Sequence, residues 1–349
     1  MFNPVKTNRY EELDALRGIA VLMVVFFHYT MGRPEANWGF KLGITGVELF
    51  FMISGFVIII SIGRVTQGID FVINRASRLY PTYWAAVTFT FTLMILQHLF
   101  HHPYSSSVRW VDYLANMTMF QHYLQVPNLD GPYWTLIIEM NFYAGVLILF
   151  YLSWLKHVNT ISIIVCILTV LTVHFLWNNF SIFVFKVLPL LNFFPLFFAG
   201  ILFYRISTDR RNQVRDYCLI LLCLLCQLLL FHRGRANGFI SHVEYAMMLT
   251  TFFGSFVLFV NGKLGFIVNR STLFMGKISY ALYLTHQFLS LNVIIPFLTK
   301  TLHINFWVAS LLVALPIAVA IASLFTFAIE IPYSRVMRQR FHRVVARKL

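Results

Sequence analysis

Two basic side chains on the first apolar segment are spaced so that they could serve one reaction. Arg17 and His28 lie eleven residues apart, which on an α-helix is three turns and about 20°, so both point to one face. His28 would lie about 16 Å further along the helix, near the middle of a membrane span. An imidazole titrates near neutral pH and can take a proton from a hydroxyl group. The same histidine could instead be a core side chain hydrogen-bonded to a neighbour.

Arg75 and Arg78 form a second basic pair, spaced i and i+3 ahead of Pro81. We predict that they lie in a loop after the second apolar segment. Two guanidinium groups one turn apart can bind phosphate oxygens in a bidentate manner. An ordinary basic loop on the cytoplasmic side of a membrane would look the same, so the spacing alone leaves both interpretations open.

Acidic side chains also occur inside apolar segments, where ionisable groups are costly and are therefore functional candidates. Glu48 comes six residues before Ser54, and it could be a structural partner for an arginine on another helix. Glu139 lies between Thr135 and Tyr143 at spacings of four residues. On a helix these three side chains form one polar stripe.

A late apolar segment carries a third polar face. Ser279, Tyr283 and His286 recur at i, i+4 and i+7, which places them on one side of a helix. We expect His286 to lie near mid-membrane, at a depth close to that of His28. Glu330 is predicted to end the last helix, near the inner surface, and to serve in structural pairing.

Together these side chains outline a polar path through a membrane. Basic groups would line its inner mouth, two histidines would lie half-way, and Glu139 with Trp134 would lie in the outer half. A basic mouth suits a phosphorylated donor from the cytosol, and a histidine suits proton transfer. A proton-coupled transporter or flippase would use the same histidines as a relay. The residues alone therefore leave a transferase and a transporter open.

The elements that must position these groups are apolar helices. Apolar residues make up 59% of the 349 residues and charged residues only 11%, whereas soluble domains carry about 25% charged residues. The fold class predicted is an all-α, polytopic transmembrane helix bundle with about ten spans. The predicted segments are 13–31, 44–62, 81–100, 133–154, 160–177, 182–204, 217–232, 242–260, 273–298 and 305–328, with a bend in 182–204 at Pro189 and Pro195.

The basic residues are unevenly distributed between the predicted loops. With ten spans, one side of the membrane holds 20 of the 27 lysine and arginine residues. The positive-inside rule therefore predicts that the N- and C-termini are cytoplasmic. We expect a multi-pass protein of the inner (cytoplasmic) membrane. The net charge of +14 then needs no nucleic acid as a partner. We expect residues 1–334 to form the membrane domain and residues 335–349 a basic cytoplasmic tail that contacts anionic lipids. We also expect the first helix to be retained, because no small-residue cleavage site follows it.

Four cysteines lie in apolar runs, and two of them form a CxxC pattern inside a leucine-rich stretch. In that context we interpret them as small apolar side chains rather than as metal ligands or a redox pair. We predict no metal and no tightly bound cofactor. The four are Cys166, Cys218, Cys223 and Cys226.

Six short motifs resemble those of the acyltransferase-3 family of membrane O-acyltransferases, in that family's order across residues 10–332. The first is an arginine followed by a histidine after ten intervening residues. The six are residues 13–28 with Arg17 and His28, residues 46–56 with Glu48 and Ser54, residues 74–81 with Arg75 and Arg78, residues 133–143 with Trp134 and Glu139, residues 279–286 with Tyr283 and His286, and residues 330–332 with Glu330.

The resemblance implies transfer of an acyl group, usually acetyl from acetyl-CoA, to a hydroxyl of a glycan, a lipid-linked saccharide or another small acceptor. Arg75 and Arg78, with Arg17, would then bind the phosphates of acyl-CoA as a co-substrate. His28 would act as general base on the acceptor hydroxyl, either in a direct transfer or through an acyl-histidine intermediate.

The remaining motif residues would serve the acceptor side under the same resemblance. Glu139 would be a second catalytic residue, and the supporting residues would be Glu48, Ser54, Trp134, Tyr283 and His286. Some relatives add an extracytoplasmic esterase-like domain. We expect this chain to act alone or with a separate partner.

Overall fold

The computed structural model describes residues 10–100, 109–176 and 178–346, with side chains up to residue 342. Within these ranges α-helix, 3₁₀-helix and π-helix are the only regular structures. The helices are α1 (Glu11–Thr30), α2 (Gly46–Ile62), α3 (Gly68–Leu99), α4 (Trp110–Met117), α5 (Trp134–Tyr151), α6 (Val158–Phe175), α7 (Asn179–Val187), α8 (Phe194–Thr208), α9 (Gln213–Leu229), α10 (His242–Val260), α11 (Arg270–Phe288), α12 (Leu315–Leu324) and α13 (Ile331–Ala346). The predicted all-α class is confirmed.

Eight helical stretches of the described chain are long and apolar enough to cross a membrane. Two of the ten predicted segments form shorter helices, because α8 has 15 residues and α9 has 17. The predicted bend in segment 182–204 is confirmed, since α7 ends at Val187, Pro189 begins a 3₁₀ turn and Pro195 lies in the first turn of α8. The eight stretches are Glu11–Thr30, Phe40–Ile62, Gly68–Leu99, Gly131–Tyr151, Leu155–Phe175, His242–Val260, Arg270–Thr301 and Val308–His342.

The chain divides into two compact units. The first comprises Met1–Gly68 and Ile138–Gly276, and the second comprises Ile69–Ile137 and Lys277–Leu349. Each unit is built from segments far apart in sequence, so the motifs of one unit meet only when the chain folds.

In the first unit, α2 packs closely against α8 around small and aromatic residues. A Cβ atom at Gly55 would collide with the backbone of Phe197, so glycine permits the close approach typical of membrane helices. The Phe197 ring stacks on Phe51 at 4.9 Å and contacts Phe142 at 4.3 Å between ring centroids. Part of the abundant phenylalanine therefore fills the space between helices instead of facing lipid.

In the second unit, α3 runs for 32 residues through Pro81. The predicted loop for Arg75 and Arg78 is therefore wrong, because both lie on this helix. Its start lies against α13, where His342 Nδ1 is 3.0 Å from Asp70 Oδ1. The residue before a proline is only biased against helix, and a proline within a membrane helix is tolerated where neighbours satisfy the freed backbone groups.

The C-terminal part of the second unit alternates between α- and π-helical turns. Helix α11 continues into π-helical Leu289–Ile294, and a further π-helical segment, Phe325–Glu330, leads directly into α13. The prediction that Glu330 ends the last helix is wrong, since the helix continues beyond it. Its role in structural pairing stays a prediction. The described part of the predicted tail is helical to residue 346, and residues 347–349 lie outside the described ranges. Its cytoplasmic location and its contact with anionic lipids stay predictions.

Candidate functional site

The first motif lies on one uninterrupted helix of the first unit. Arg17 and His28 both belong to α1, and both side chains are half-buried. Arg17 Nη1 lies 3.8 Å from Asp14 Oδ1, one turn earlier on the helix. His28 is in the last turn, and its ring centroid is 5.1 Å from that of Phe27. The helix holds the two side chains at the predicted spacing, and their roles stay predictions.

A cluster of three polar side chains joins α2 to α5 in the same unit. The hydroxyl of Ser54 donates a hydrogen bond of 2.9 Å to Glu139 Oε1, and the hydroxyl of Tyr143 donates to the same oxygen. One carboxylate oxygen can accept more than one hydrogen bond. We call Ser54, Glu139 and Tyr143 the carboxylate cluster. It fixes the position of a carboxylate within two helices that are candidate membrane spans.

Glu48 belongs to a separate buried network. Its carboxyl group meets the hydroxyl of Tyr245 on α10, in place of the arginine that the sequence suggested. The Gln227 amide donates to Tyr245 at 3.2 Å and to the carbonyl of Asn192 at 3.1 Å. Because Glu48 and Ser54 are six residues apart, their side chains point about 120° apart around α2. The helix therefore bonds to α10 on one side and to α5 on another.

The two loop arginines of the sequence become neighbours on α3 of the second unit. Arg75 and Arg78 are half-buried and lie one turn apart. The guanidinium carbon of Arg75 lies 5.8 Å from the centroid of the Phe71 ring, a distance at which cation–π attraction operates. Both guanidinium groups are therefore carried by one helix instead of by a loop, and their binding of phosphate stays a prediction.

The late motif forms a second arrangement in the second unit, on α11. The hydroxyls of Tyr283 and Thr135 lie 3.0 Å apart, and Thr135 also donates to the carbonyl of Pro132 at 3.1 Å. A hydroxyl has one hydrogen, so Tyr283 donates to Thr135. Trp134, which precedes Thr135, is half-buried as the first residue of α5.

His286 is fully buried, and its ring has a defined orientation. Its Nδ1 atom lies 2.9 Å from the carbonyl oxygen of Leu282 and 3.0 Å from that of Tyr283. Carbonyl oxygens can only accept, so Nδ1 carries a hydrogen. In the neutral ring Nε2 is then a hydrogen-bond acceptor and a base.

Asp130 is a buried carboxylate that the sequence interpretation missed. Its Oδ1 accepts from the backbone N–H of Gly131 at 2.7 Å, and its Oδ2 accepts from that of Phe288 at 3.2 Å. Burial raises the pKa of this carboxyl to about 7, although the two N–H groups act in the opposite direction. The signal that could have found it is an aspartate directly before Gly131 and Pro132, which is typical of the start of a helix.

The described residues contain no group of three or more histidine, cysteine, aspartate or glutamate side chains arranged to hold a metal ion. Cys218 is an exposed free thiol, and the other three free cysteines, Cys166, Cys223 and Cys226, are buried.

Comparison with known proteins gives a family match over most of the chain. Residues 10–327 match the model of the acyltransferase domain of the acyltransferase-3 family. BcsY of Komagataeibacter xylinus is 32% identical over 156 residues, or 41% of this chain. The peptidoglycan O-acetyltransferase OatA of Listeria monocytogenes is 27% identical over 177 residues, or 44% of this chain.

The coverage of these relatives differs. The aligned regions span only 37% of BcsY and 27% of OatA. The protein ORF330 of Acidianus two-tailed virus is 23% identical over 300 residues, which is 81% of this chain and 84% of that protein. No solved structure matches the chain.

Proposed function

The chain belongs to the acyltransferase-3 family, and from this membership we propose that it is a membrane O-acyltransferase. It moves an acyl group, most simply acetyl, from acyl-CoA to a hydroxyl of a glycan or another small acceptor. The name of OatA, a peptidoglycan O-acetyltransferase, supports acetyl as the group and a glycan as the acceptor class. The cell membrane that holds the protein is the inner (cytoplasmic) membrane, in keeping with its predicted basic cytoplasmic loops.

The observation that carries the proposal is the carboxylate cluster. Ser54 belongs to the second motif and Glu139 to the fourth, and they are 85 residues apart in sequence. Their side chains nevertheless share a hydrogen bond of 2.9 Å inside a helical unit. Polar groups at membrane depth are costly, and such groups generally mark functional sites. Convergence of two motifs on one carboxylate is what a reaction centre requires, whereas scattered motif residues would have pointed to separate structural roles.

The reaction that these groups can perform is a general-base acyl transfer. His28 takes the proton from the acceptor hydroxyl as its oxygen attacks the thioester carbonyl carbon. The resulting tetrahedral intermediate collapses with cleavage of the carbon–sulfur bond. The CoA thiolate leaves and takes the proton from the imidazolium of His28. The products are the acyl ester and CoA thiol, and neither an oxidant nor a metal is required.

The donor side of this mechanism uses the basic groups. Arg75 and Arg78 hold the phosphates of acyl-CoA in the bidentate manner that guanidinium groups favour. Arg17 adds a third positive charge on α1, three turns before His28. The extended pantetheine arm would carry the thioester over that distance to the imidazole.

The acceptor side would use the remaining motif residues. Glu139, held by Ser54 and Tyr143, can accept a hydrogen bond from an acceptor hydroxyl. Trp134 offers an aromatic face of the kind on which a sugar ring can pack. Glu48 serves this side indirectly. Its network with Tyr245 holds α2 against α10, and α2 also carries Ser54.

A direct assay tests the proposal. Protein purified in detergent is incubated with acetyl-CoA that carries a labelled acetyl group, with and without glycan acceptors, and labelled product and free CoA are measured. Acetyl-CoA consumption that depends on His28 supports the transferase. A folded protein that consumes no acyl-CoA under any of these conditions would contradict it and favour the transporter. Mass spectrometry of surface glycans from cells with and without the chain then identifies the acceptor.

A further inference from the structure

Two hydrogen bonds connect the start of α5 to α11 on either side of His286. Three residues before the histidine, Tyr283 bonds to Thr135 at 3.0 Å. Two residues after it, the N–H of Phe288 donates to Asp130 Oδ2 at 3.2 Å. Both bonds are buried within the second unit. The part of α11 that carries His286 is therefore held on one side through the Tyr283 side chain and on the other through the backbone N–H of Phe288.

The second of these bonds lies where the helix changes its geometry. Helix α11 ends at Phe288, and π-helical turns begin at Leu289. π-Helical turns are rare and occur frequently at functional sites. The two segments also approach closely here, because a Cβ atom at Gly131 would collide with the Gln287 side chain. A buried carboxylate at this junction holds the end of the α-helical part in place.

The orientation of His286 depends on the same backbone. Its Nδ1–H points at the carbonyl oxygens of Leu282 and Tyr283, so the position of Nε2 follows from the path of residues 282–288. A shift of this backbone would move the basic nitrogen. A displacement of about 1 Å at a reacting group can cost about a hundredfold in rate.

We propose that Asp130 is a positioning residue that holds the α-to-π junction of α11 and thereby fixes the position of Nε2 of His286. This inference rests on the proposed acyltransferase function. Asp130 acts through the backbone and does not touch the substrate. It gives a buried aspartate outside the six motifs a role in positioning a motif histidine.

The competing explanation is that Asp130 only caps the 3₁₀ turn Gly131–Tyr133, for which it is the N-cap. Capping uses Oδ1, which accepts from Gly131, whereas the bond to Phe288 uses Oδ2. Asparagine is as good an N-cap as aspartate, yet its amide offers only one accepting oxygen. Asp130→Asn therefore keeps the cap and loses the bond to Phe288.

The test is a double-mutant cycle of Asp130→Asn and His286→Ala in the labelled acetyl-CoA assay. We expect Asp130→Asn alone to lower kcat roughly tenfold, as loss of a supporting partner commonly does, with KM for acetyl-CoA unchanged. In the His286→Ala background it should cause no further loss, because residues that act as a unit are not additive. A matched control is Asp216→Asn, which alters a buried, ion-paired carboxylate on α9 and should leave kcat unchanged.

Hydrogen exchange supplies a readout that needs no activity. Asp130→Asn should increase amide exchange across residues 284–294, while Asp216→Asn should not change exchange there. Normal kcat in Asp130→Asn, an equal loss in both backgrounds, or unchanged exchange across that segment would overturn the proposal. If the wild-type protein consumes no acyl-CoA, the proposed function fails, and the exchange measurement still decides whether Asp130 holds the junction.

Discussion

Ser54 and Glu139 lie 85 residues apart in sequence and share a hydrogen bond of 2.9 Å between α2 and α5. Tyr143 donates to the same carboxylate oxygen. The carboxylate therefore has an orientation set by two hydroxyl groups, one from each helix. Either hydroxyl can be removed while the carboxylate stays in place, so the contribution of each hydroxyl can be measured separately from that of the carboxylate.

We predict that Glu139→Gln lowers turnover more than either Ser54→Ala or Tyr143→Phe. Each of the latter removes one hydrogen bond, worth about 1 kcal/mol in net stability, and leaves the carboxylate in place. The double variant should show a coupling of about 0.5 kcal/mol or more, since both hydroxyls bind one oxygen. Thermal unfolding and turnover are measured for each variant. Tyr151→Phe, on an exposed side chain of the same helix, is the control. Equal turnover in Glu139→Gln and the wild type would remove Glu139 from the catalytic residues.

His28→Ala should abolish transfer without unfolding the protein. If His28 is the base, the loss should be on the order of a hundredfold or more. His157→Ala, which changes an exposed histidine in the first unit, should retain full turnover. The measurement is labelled acetyl-CoA consumption, with thermal unfolding as the check on folding. Near-normal turnover of a well-folded His28→Ala protein would contradict the assignment.

The arginine pair on α3 makes a prediction about donor affinity. Arg75→Ala and Arg78→Ala should each raise the Kd for acetyl-CoA, and lysine should restore affinity only in part because it lacks the bidentate fork. Calorimetric titration with CoA measures this without turnover. Arg211→Ala removes a guanidinium whose side chain is 89% exposed and serves as the control. An unchanged Kd in both alanine variants would mean that these charges serve only to orient the chain in the membrane.

The fold class could be predicted because hydrophobicity is a local property. Each of the ten apolar segments contains a helix in the part of the chain that the structure describes, and the prolines near residue 190 marked a real break. Helix ends were less predictable. A helix can continue through a charged stretch and a proline, as α3 does at Pro81, when neighbouring helices satisfy the freed backbone groups. Glu330 was misinterpreted for the same reason, as the π-helical turns around it carry the chain directly into α13.

The site could be predicted only in part. Motif resemblance picked out Ser54 and Glu139 separately, but periodicity cannot show that residues 85 positions apart will meet. The sequence offered an arginine as a possible structural partner for Glu48, because opposite charges attract, whereas in the structure its carboxyl group meets the neutral hydroxyl of Tyr245. Asp130 was missed because it precedes its helix, and its bond to Phe288 depends on tertiary packing.

Asp130 leads to a prediction about stability and pH. Burial raises its pKa in the folded protein to about 7, above the value of about 3.9 that is usual for an aspartate, so the folded protein holds this proton where the unfolded chain has released it. Its contribution to stability should be fully present below about pH 4 and be lost as the pH rises through about 7. The melting temperature of the wild type minus that of Asp130→Asn, measured in detergent from pH 5 to pH 8, should therefore fall as the pH rises. A difference that stays constant or grows with pH would show that Asp130 is ionised throughout.

The last prediction concerns the side of the membrane from which each substrate enters. The predicted topology puts Arg75 and Arg78, near the start of α3, on the cytoplasmic side, which holds 20 of the 27 lysine and arginine residues. It puts Trp134, at the start of α5, near the outer surface. Acyl-CoA is a cytosolic metabolite whose phosphates cannot cross lipid, so it must enter at the basic side. A glycan entering by the same mouth would compete with it.

We therefore expect the acceptor to approach from the outer face and the acyl group to cross the membrane during transfer. Proteoliposomes of fixed orientation, supplied with labelled acetyl-CoA on the cytoplasmic face, can test this. Acceptor is placed on one face at a time, and labelled ester is measured, with His28→Ala liposomes as the control for leakage. Labelled ester should form only with acceptor on the outer face. Product that forms only with acceptor on the cytoplasmic face would refute the path through the membrane, and it would leave an acyltransferase that meets both substrates on the cytoplasmic side.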